Sequence, residues 1–127
     1  MKTILIIEDN EDSLELIILL LSQSGYTTIT ALDGEEGVAL AKQEVPDLVI
    51  CDIHISKLNG FEVVKILKQY PELKQIPLVA VTASAILGDR KKILASGFDA
   101  YIEKPINPVK FALQIEDALS SKEKIFK

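Results

Sequence analysis

Five polar residues of this sequence stand at the ends of apolar runs, and their chemical types suit the handling of a phosphoryl group. In chain order they are Glu8, Asp9, Asp52, Thr82 and Lys104. Clustered carboxylates repel one another, and a hard divalent cation such as Mg²⁺ is the simplest compensation. A carboxylate between such a cation and an ammonium group, with a hydroxyl nearby, can accept a phosphoryl group because the positive charges neutralise oxygens of the transition state.

The elements that must position these residues follow from the hydrophobic pattern. Short runs rich in Ile and Val predict strands over residues 3–8, 27–31, 48–52, 77–82 and 100–103. The amphipathic stretches between them predict helices over residues 10–25, 33–43, 59–70, 84–97 and 107–121. Asn10, Asp33 and Asn59 are typical N-cap residues, and Gly25 and Gly97 are typical of helix ends.

The alternation of strands and helices predicts an α/β fold of the (βα)₅ type. Such a fold has a doubly wound, five-stranded parallel sheet with helices on both faces and right-handed crossovers. Ligands of these sheets bind beyond the carboxyl ends of the strands. The five polar residues all follow strands in the chain, so we expect them to share one crevice at that edge.

The composition limits the class of protein. A length of 127 residues, 48% of them hydrophobic, predicts one domain over 1–121 and a tail over 122–127. One cysteine and one histidine exclude an internal disulfide, leave too few ligands for structural zinc, and suit the cytoplasm. The net charge of −5 disfavours nucleic acid as a direct partner, and the longest apolar run, at 16–21, is too short to cross a bilayer.

Four segments, in their order and spacing, resemble the receiver domain of two-component response regulators. They are IIEDNEDS after the first strand, LVICDIHISKLNGFEV around the third, VAVTASA at the fourth and AYIEKPI at the fifth. The similarity covers residues 2 to about 120, and its second half is also similar to stand-alone receivers of the cell-cycle type. The resemblance implies a flavodoxin-like fold with strand order 2-1-3-4-5.

The resemblance also implies a metal-dependent phosphoacceptor site. Asp52 would accept the phosphoryl group. Mg²⁺ (or Mn²⁺) would bind Asp9, Asp52 and the backbone carbonyl of His54, and Glu8 would act mainly through water. Glu8 departs from the commoner Asp, and its extra methylene should shift the metal geometry.

Further residues would respond to phosphorylation of Asp52. By resemblance, Thr82 and Lys104 contact phosphoryl oxygens, and Tyr101 is a switch aromatic that turns inward as Thr82 moves. The Lys104–Pro105 peptide bond would be cis, which suits a functional turn.

Two positions beside the site would tune the lifetime of the acyl phosphate. The resemblance assigns this role to the side chains of His54 and Ser84. Ser56 stands where the loop after the acceptor usually has proline, so we expect a more mobile loop. We interpret the His54 imidazole as a neighbour of the site and not as a metal ligand.

The first helix carries a candidate docking patch. Leu14, Ile17, Ile18 and Leu21 form the expected inward stripe, and the remaining leucines project from the other side. Exposed leucines in a group suggest a partner surface, and here they are Leu16, Leu19 and Leu20. A dimer contact, or a helix that is more deeply buried, would explain the same residues.

The resemblance also implies the partners of this domain. A histidine kinase or histidine phosphotransfer protein would dock on the first helix. A downstream target protein would bind the face formed by the fourth helix, the fifth strand and the fifth helix. The chain could act alone or belong to a larger regulator or hybrid kinase.

Two other functions fit a parallel α/β sheet less well. A phosphatase of the haloacid dehalogenase type needs a second Asp two residues after the nucleophile, where this chain has His54, and it needs a cap domain. A flavodoxin-like flavin carrier needs a hydroxyl-rich phosphate loop, where this chain has the acidic segment EDNED. We therefore predict a signalling domain and no enzyme, with only self-catalysed phosphotransfer and autodephosphorylation.

Overall fold

A computed structural model describes residues 2–83 and 87–125 of the chain, with side chains described over 2–83 and 90–120. The strands are β1 (Thr3–Ile7), β2 (Thr27–Ala31), β3 (Leu48–Asp52), β4 (Leu78–Thr82) and β5 (Ala100–Glu103). The helices are α1 (Glu11–Gln23), α2 (Gly34–Glu44), α3 (Gly60–Leu67), α4 (Leu87–Ala95) and α5 (Pro108–Ile125). Strands and helices alternate, as the hydrophobic pattern predicts.

The element boundaries differ from the predicted ones by a few residues. α5 continues to Ile125, into the segment 122–127 that we expected to be a tail, because Lys and Glu favour helix there. α3 ends at Leu67, three residues before the predicted end at residue 70. None of the helices within the described ranges is both long and apolar enough to cross a membrane.

All five strands are parallel and form one sheet in the order β2-β1-β3-β4-β5. The predicted fold class and strand order are therefore confirmed. The register pairs Ile7 with Cys51, and it pairs Thr82 with Glu103. Neighbouring strands consequently end at nearly the same level, and the residues that follow them meet at one edge of the sheet.

The sheet separates two hydrophobic cores. Alternate residues of each strand point to opposite faces, so Leu5 and Ile7 belong to one core and Ile4 and Ile6 to the other. α2, α3 and α4 cover the first core, and α1 and α5 cover the second. Burial on both faces explains why β1, β3 and β4 are apolar almost throughout.

The starts of the helices are fixed by local hydrogen bonds. The side chain of Asn10 accepts from Ser13 N–H, and that of Asp33 accepts from Glu36 N–H. Asn59 forms a capping box at the start of α3. These bonds satisfy backbone N–H groups that have no partner within the helix, which is why the cap positions could be predicted.

The start of α2 lies against the loop that follows β3. Gly34 N–H donates to the Ser56 carbonyl oxygen at 3.1 Å. A Cβ atom on Gly34 would lie 2.1 Å from the carbonyl oxygen of Leu58. Only glycine allows α2 to approach the loop this closely, so Gly34 helps to fix the chain just after Asp52.

Replacing Gly34 with Ala is expected to lower the free energy of unfolding by roughly 1–3 kcal/mol, the usual cost of overpacking a close contact. Denaturant unfolding measures the change. Glu35→Ala, at the exposed neighbouring position, is the control and should change stability by no more than about 0.5 kcal/mol. Equal stability of the two variants would contradict the close approach.

Candidate functional site

The carboxyl ends of β1, β3 and β4 deliver polar side chains into the interior of the protein. Glu8 follows β1 directly, and Asp52 and Thr82 are the last residues of β3 and β4. Their exposed fractions are 1%, 6% and 1%, in that order. Asp9 is exposed at the same edge. Solvated loop residues would not be buried in this way. Glu8, Asp52 and Thr82 therefore form a polar site within the fold.

Lys104 connects two of the buried carboxylates. Its Nζ atom lies 3.0 Å from Asp52 Oδ2, where it donates a hydrogen bond, and 3.0 Å from Glu8 Oε1. The contact with Glu8 is an ion pair, and apart from it Glu8 Oε1 has no hydrogen-bond partner among the described residues. One ammonium group therefore serves two buried carboxylates.

The second oxygen of Asp52 is held by the backbone. His54 N–H donates to Asp52 Oδ1 at 3.0 Å, and the side chain of His54 is exposed. Asn10 N–H donates to Glu8 Oε2 at 3.1 Å. Both carboxylates are thus oriented by backbone amides next to them in the chain, and the fold adds the ammonium group.

Burial and charge pull the pKa values of the site in opposite directions. Desolvation raises the pKa of Glu8, and the neighbouring Asp52 carboxylate raises it further, against the lowering effects of Lys104 and the Asn10 amide. Desolvation lowers the pKa of Lys104, but the carboxylates of Glu8 and Asp52 outweigh it and the net shift is upward. The site thus sets three carboxyl groups, two of them buried, beside the ammonium group of Lys104.

The carboxylates of the site could hold a metal ion. One oxygen from each of Glu8, Asp9 and Asp52 lies within 4.8 Å of the other two. Three carboxylate groups, two of them buried, suit a hard divalent cation that prefers oxygen ligands. The donor set fits Mg²⁺ better than a softer metal because it contains neither thiolate nor imidazole.

The loop after Asp52 is restrained without the usual proline. Ser56 O accepts hydrogen bonds from Gly34 N–H at 3.1 Å and from Leu58 N–H at 2.8 Å. The Gly60 amide donates to Ile53 O at 2.9 Å. We expected Ser56 to leave the loop more mobile, but contacts with α2 supply a restraint. The sequence held no signal for them because Gly34 and Ser56 are far apart in the chain.

The remaining predicted residues lie around this site. The Lys104–Pro105 peptide bond is cis, and Lys104 N–H donates to Thr82 O at 2.9 Å. Tyr101 is half-buried and packs against the first core. Ser84, predicted to tune the phosphoryl lifetime, lies outside the described residues.

We expected Leu16, Leu19 and Leu20 to project from the side of α1 opposite its inward stripe, and this expectation is wrong for two of them. Leu19 is 53% exposed, but Leu16 and Leu20 pack partly against the second core. α1 contacts both the sheet and α5, so its buried stripe is wider than that of a helix resting on a sheet alone. Leu16 instead helps to line a groove of about 190 Å³ that also includes Lys104 and Pro105.

Comparison with known proteins gives one consistent result. The family model described as the response regulator receiver domain matches residues 4–116. The polar-differentiation response regulator DivK of Brucella anthropi is 42% identical over 118 residues, which cover 93% of this chain and 96% of that protein.

Solved structures give the same answer. A CheY-like response regulator receiver domain protein from Methanospirillum hungatei is 32% identical, with a TM-score of 0.86 and coverage of 98% of both chains. The receiver domain of the sensor histidine kinase PA1611 from Pseudomonas aeruginosa, solved with a magnesium ion in its active site cleft, is 25% identical. Its TM-score is 0.87, with 94% of this chain and 98% of that chain covered.

Replacing Glu8 with Gln should change how stability depends on pH when a chelator removes divalent cations. The folded protein raises the pKa of Glu8 above its ordinary value of 4.5, so just above pH 4.5 the folded state binds more protons than the unfolded state. Proton binding to Glu8 therefore stabilises the folded protein at low pH. This stabilisation is lost as the pH rises through the folded pKa of Glu8.

The variant should therefore gain stability relative to the wild type as the pH rises above 4.5 and through the folded pKa of Glu8, as measured by denaturant unfolding. Glu15→Gln, at an exposed position of α1, controls for the loss of a charge. Unfolding free energies of wild type and Glu8→Gln that run parallel over this range would contradict the effect.

Proposed function

We propose, from the premise that this chain belongs to the response regulator receiver domain family, that Asp52 is the residue that accepts the phosphoryl group. The donor is the phosphohistidine of a histidine kinase or a histidine phosphotransfer protein. The observation that carries the proposal is the position of Asp52, which is buried beside the Lys104 ammonium group and within 4.8 Å, oxygen to oxygen, of the carboxylates of Glu8 and Asp9.

The geometry of Asp52 suits a nucleophile in phosphoryl transfer. A carboxylate oxygen attacks phosphorus, a P–O bond forms, and the P–N bond breaks with its electron pair returning to the donor imidazole. His54 N–H and Lys104 Nζ each hold one oxygen of Asp52, which orients the carboxylate before attack. Lys104 then offsets charge on the phosphoryl oxygens, and the Thr82 hydroxyl hydrogen-bonds one of them.

A divalent cation completes the charge balance of the site. The carboxylates of Glu8, Asp9 and Asp52, together with the backbone carbonyl of His54, would hold Mg²⁺ or Mn²⁺. When bound, the cation neutralises negative charge that develops on the phosphoryl oxygens. The proximity of three carboxylates, two of them buried, supports this assignment.

Thr82 and Tyr101 carry the signal away from Asp52. Thr82 is buried beside Asp52 on the neighbouring strand, and its carbonyl oxygen accepts from Lys104 N–H. Movement of Thr82 toward the phosphoryl group would let Tyr101 turn inward from β5. The face formed by α4, β5 and α5 would change with it and present a new surface to a downstream target protein.

The donor would dock along α1. The groove beside Leu16 reaches Lys104 and is lined by Pro105 and Ile106, so a partner helix lying there would bring its phosphohistidine close to Asp52. Leu19 and Leu20 follow Leu16 by three and four residues on α1, and Leu19 is exposed to solvent. The position of the groove supports docking on this side of the site.

The wild-type protein should gain one phosphoryl group from acetyl phosphate when Mg²⁺ is present, and Asp52→Asn should gain none. Intact-protein mass spectrometry measures the gain. A chelator should abolish it, and Asp9→Asn should slow it because a cation ligand is lost. Asp117→Asn, at an exposed position of α5, is the control and should behave as the wild type. Phosphoryl gain by Asp52→Asn would refute the assignment.

Replacing His54 with Ala is expected to change the rate of phosphoryl loss by more than it changes the affinity for Mg²⁺. The backbone N–H and carbonyl groups of residue 54 survive the substitution, whereas the exposed side chain beside the site is lost. The decay of the phosphorylated protein gives the rate, and titration with Mg²⁺ gives the affinity. A large loss of affinity with an unchanged decay rate would overturn the interpretation.

A further inference from the structure

Tyr101 and Glu103 project from the same face of the edge strand β5, because they are two residues apart. Both contact one residue of α4. The guanidinium carbon of Arg90 lies 5.6 Å from the centroid of the Tyr101 ring, and its Nη2 atom forms an ion pair with Glu103 Oε1. Arg90 therefore ties α4 to β5 at the residue that the proposed switch must move.

The described part of α4, residues 90–95, has few buried apolar side chains. Among the described side chains of this helix, only Ile93 is buried, and Leu94 is 45% exposed. Lys92 Nζ lies 4.9 Å from the centroid of the Phe61 ring on α3. Cations placed over aromatic rings thus connect α4 to β5 and to α3.

We propose that Arg90 is a positioning residue for the switch, and that it holds Tyr101 in the half-exposed position seen here until Asp52 is phosphorylated. This inference rests on the proposed role of Tyr101. Turning the ring inward would separate it from the guanidinium group, so the contact opposes the inward position. Arg90 would also transmit the change, because the same side chain belongs to α4.

The free energies of these interactions are of the size that shifts a conformational equilibrium, and they are too small to determine whether the domain folds. An exposed cation–ring contact and an exposed ion pair each alter an equilibrium by roughly two- to fivefold. Such factors are small beside the equilibrium constant for folding. They are large enough to shift a two-state equilibrium whose minor state is already populated. Loss of Arg90 should therefore release Tyr101 while the domain stays folded.

Arg90→Gln tests the proposal against Lys91→Gln, which removes the same charge from the next, exposed position of α4. The first readout is the NMR signal of the Tyr101 ring in the unphosphorylated protein, assigned with Tyr101→Phe. The second is the rate of phosphoryl gain from acetyl phosphate with Mg²⁺. Circular dichroism establishes that both variants are folded.

Arg90→Gln should shift the Tyr101 ring signal and speed phosphoryl gain by roughly two- to fivefold, whereas Lys91→Gln should change neither. Arg90→Lys, which keeps the charge but loses the planar group, should give intermediate values. A ring signal or a rate of gain in Arg90→Gln that equals that of Lys91→Gln would overturn the proposal, as would slower gain.

Failure of this inference can be told apart from failure of the proposed function. If the wild type gains no phosphoryl group, the assignment of Asp52 fails. The ring signal measured with and without Arg90 in the Asp52→Asn background still tests the contact between Arg90 and Tyr101, because that protein lacks the proposed acceptor. In that background, an unchanged ring signal on loss of Arg90 would overturn the inference by itself.

Discussion

The sharing of one ammonium group between two buried carboxylates is the constraint on which the rest of this structure depends. Lys104 Nζ lies 3.0 Å from both Asp52 Oδ2 and Glu8 Oε1, and Asp9 adds a third carboxylate nearby. Burial makes each unbalanced charge costly, so the two buried carboxylates and the ammonium group depend on one another. A hard divalent cation would offset the remaining negative charge. In the proposed function, the cation and Lys104 together would neutralise the oxygens of a phosphoryl group. The family relationship and the chemistry of the site therefore point to the same function.

The topology of the parallel sheet brings these charged groups together at one edge. Strands covered on both faces are apolar along their length, and polar residues can follow only where the strands end. Parallel pairing in close register brings those ends to one edge. Backbone amides then orient the carboxylates, as His54 N–H does for Asp52. The contact of Gly34 with Ser56 fixes the following loop from outside. The stability of the sheet thus supports a site that is itself electrostatically unfavourable.

β5 lies at the sheet edge, and the contacts of the described side chains of α4 include the buried Ile93 and cations over aromatic rings. Weak contacts of this kind can be exchanged at small cost, unlike the packed residues of β1 and β3. Tyr101 lies on this edge strand, half-buried against the first core, where these exchangeable contacts meet the packed sheet.

The sequence by itself determined the element order, the fold class and the identity of the polar residues at the strand ends. Hydrophobic periodicity and helix caps are local patterns, and strand ends in a parallel sheet meet by topology. Tertiary structure alone decided that Lys104 bridges Glu8 and Asp52, that Gly34 restrains the loop, and that Leu16 and Leu20 are partly buried. It also decided that Arg90 reaches Tyr101 and Glu103. Each of these contacts joins residues on different elements, and its existence depends on register and helix placement. Local patterns in the chain do not specify those quantities, because they arise only when both faces of the sheet are covered.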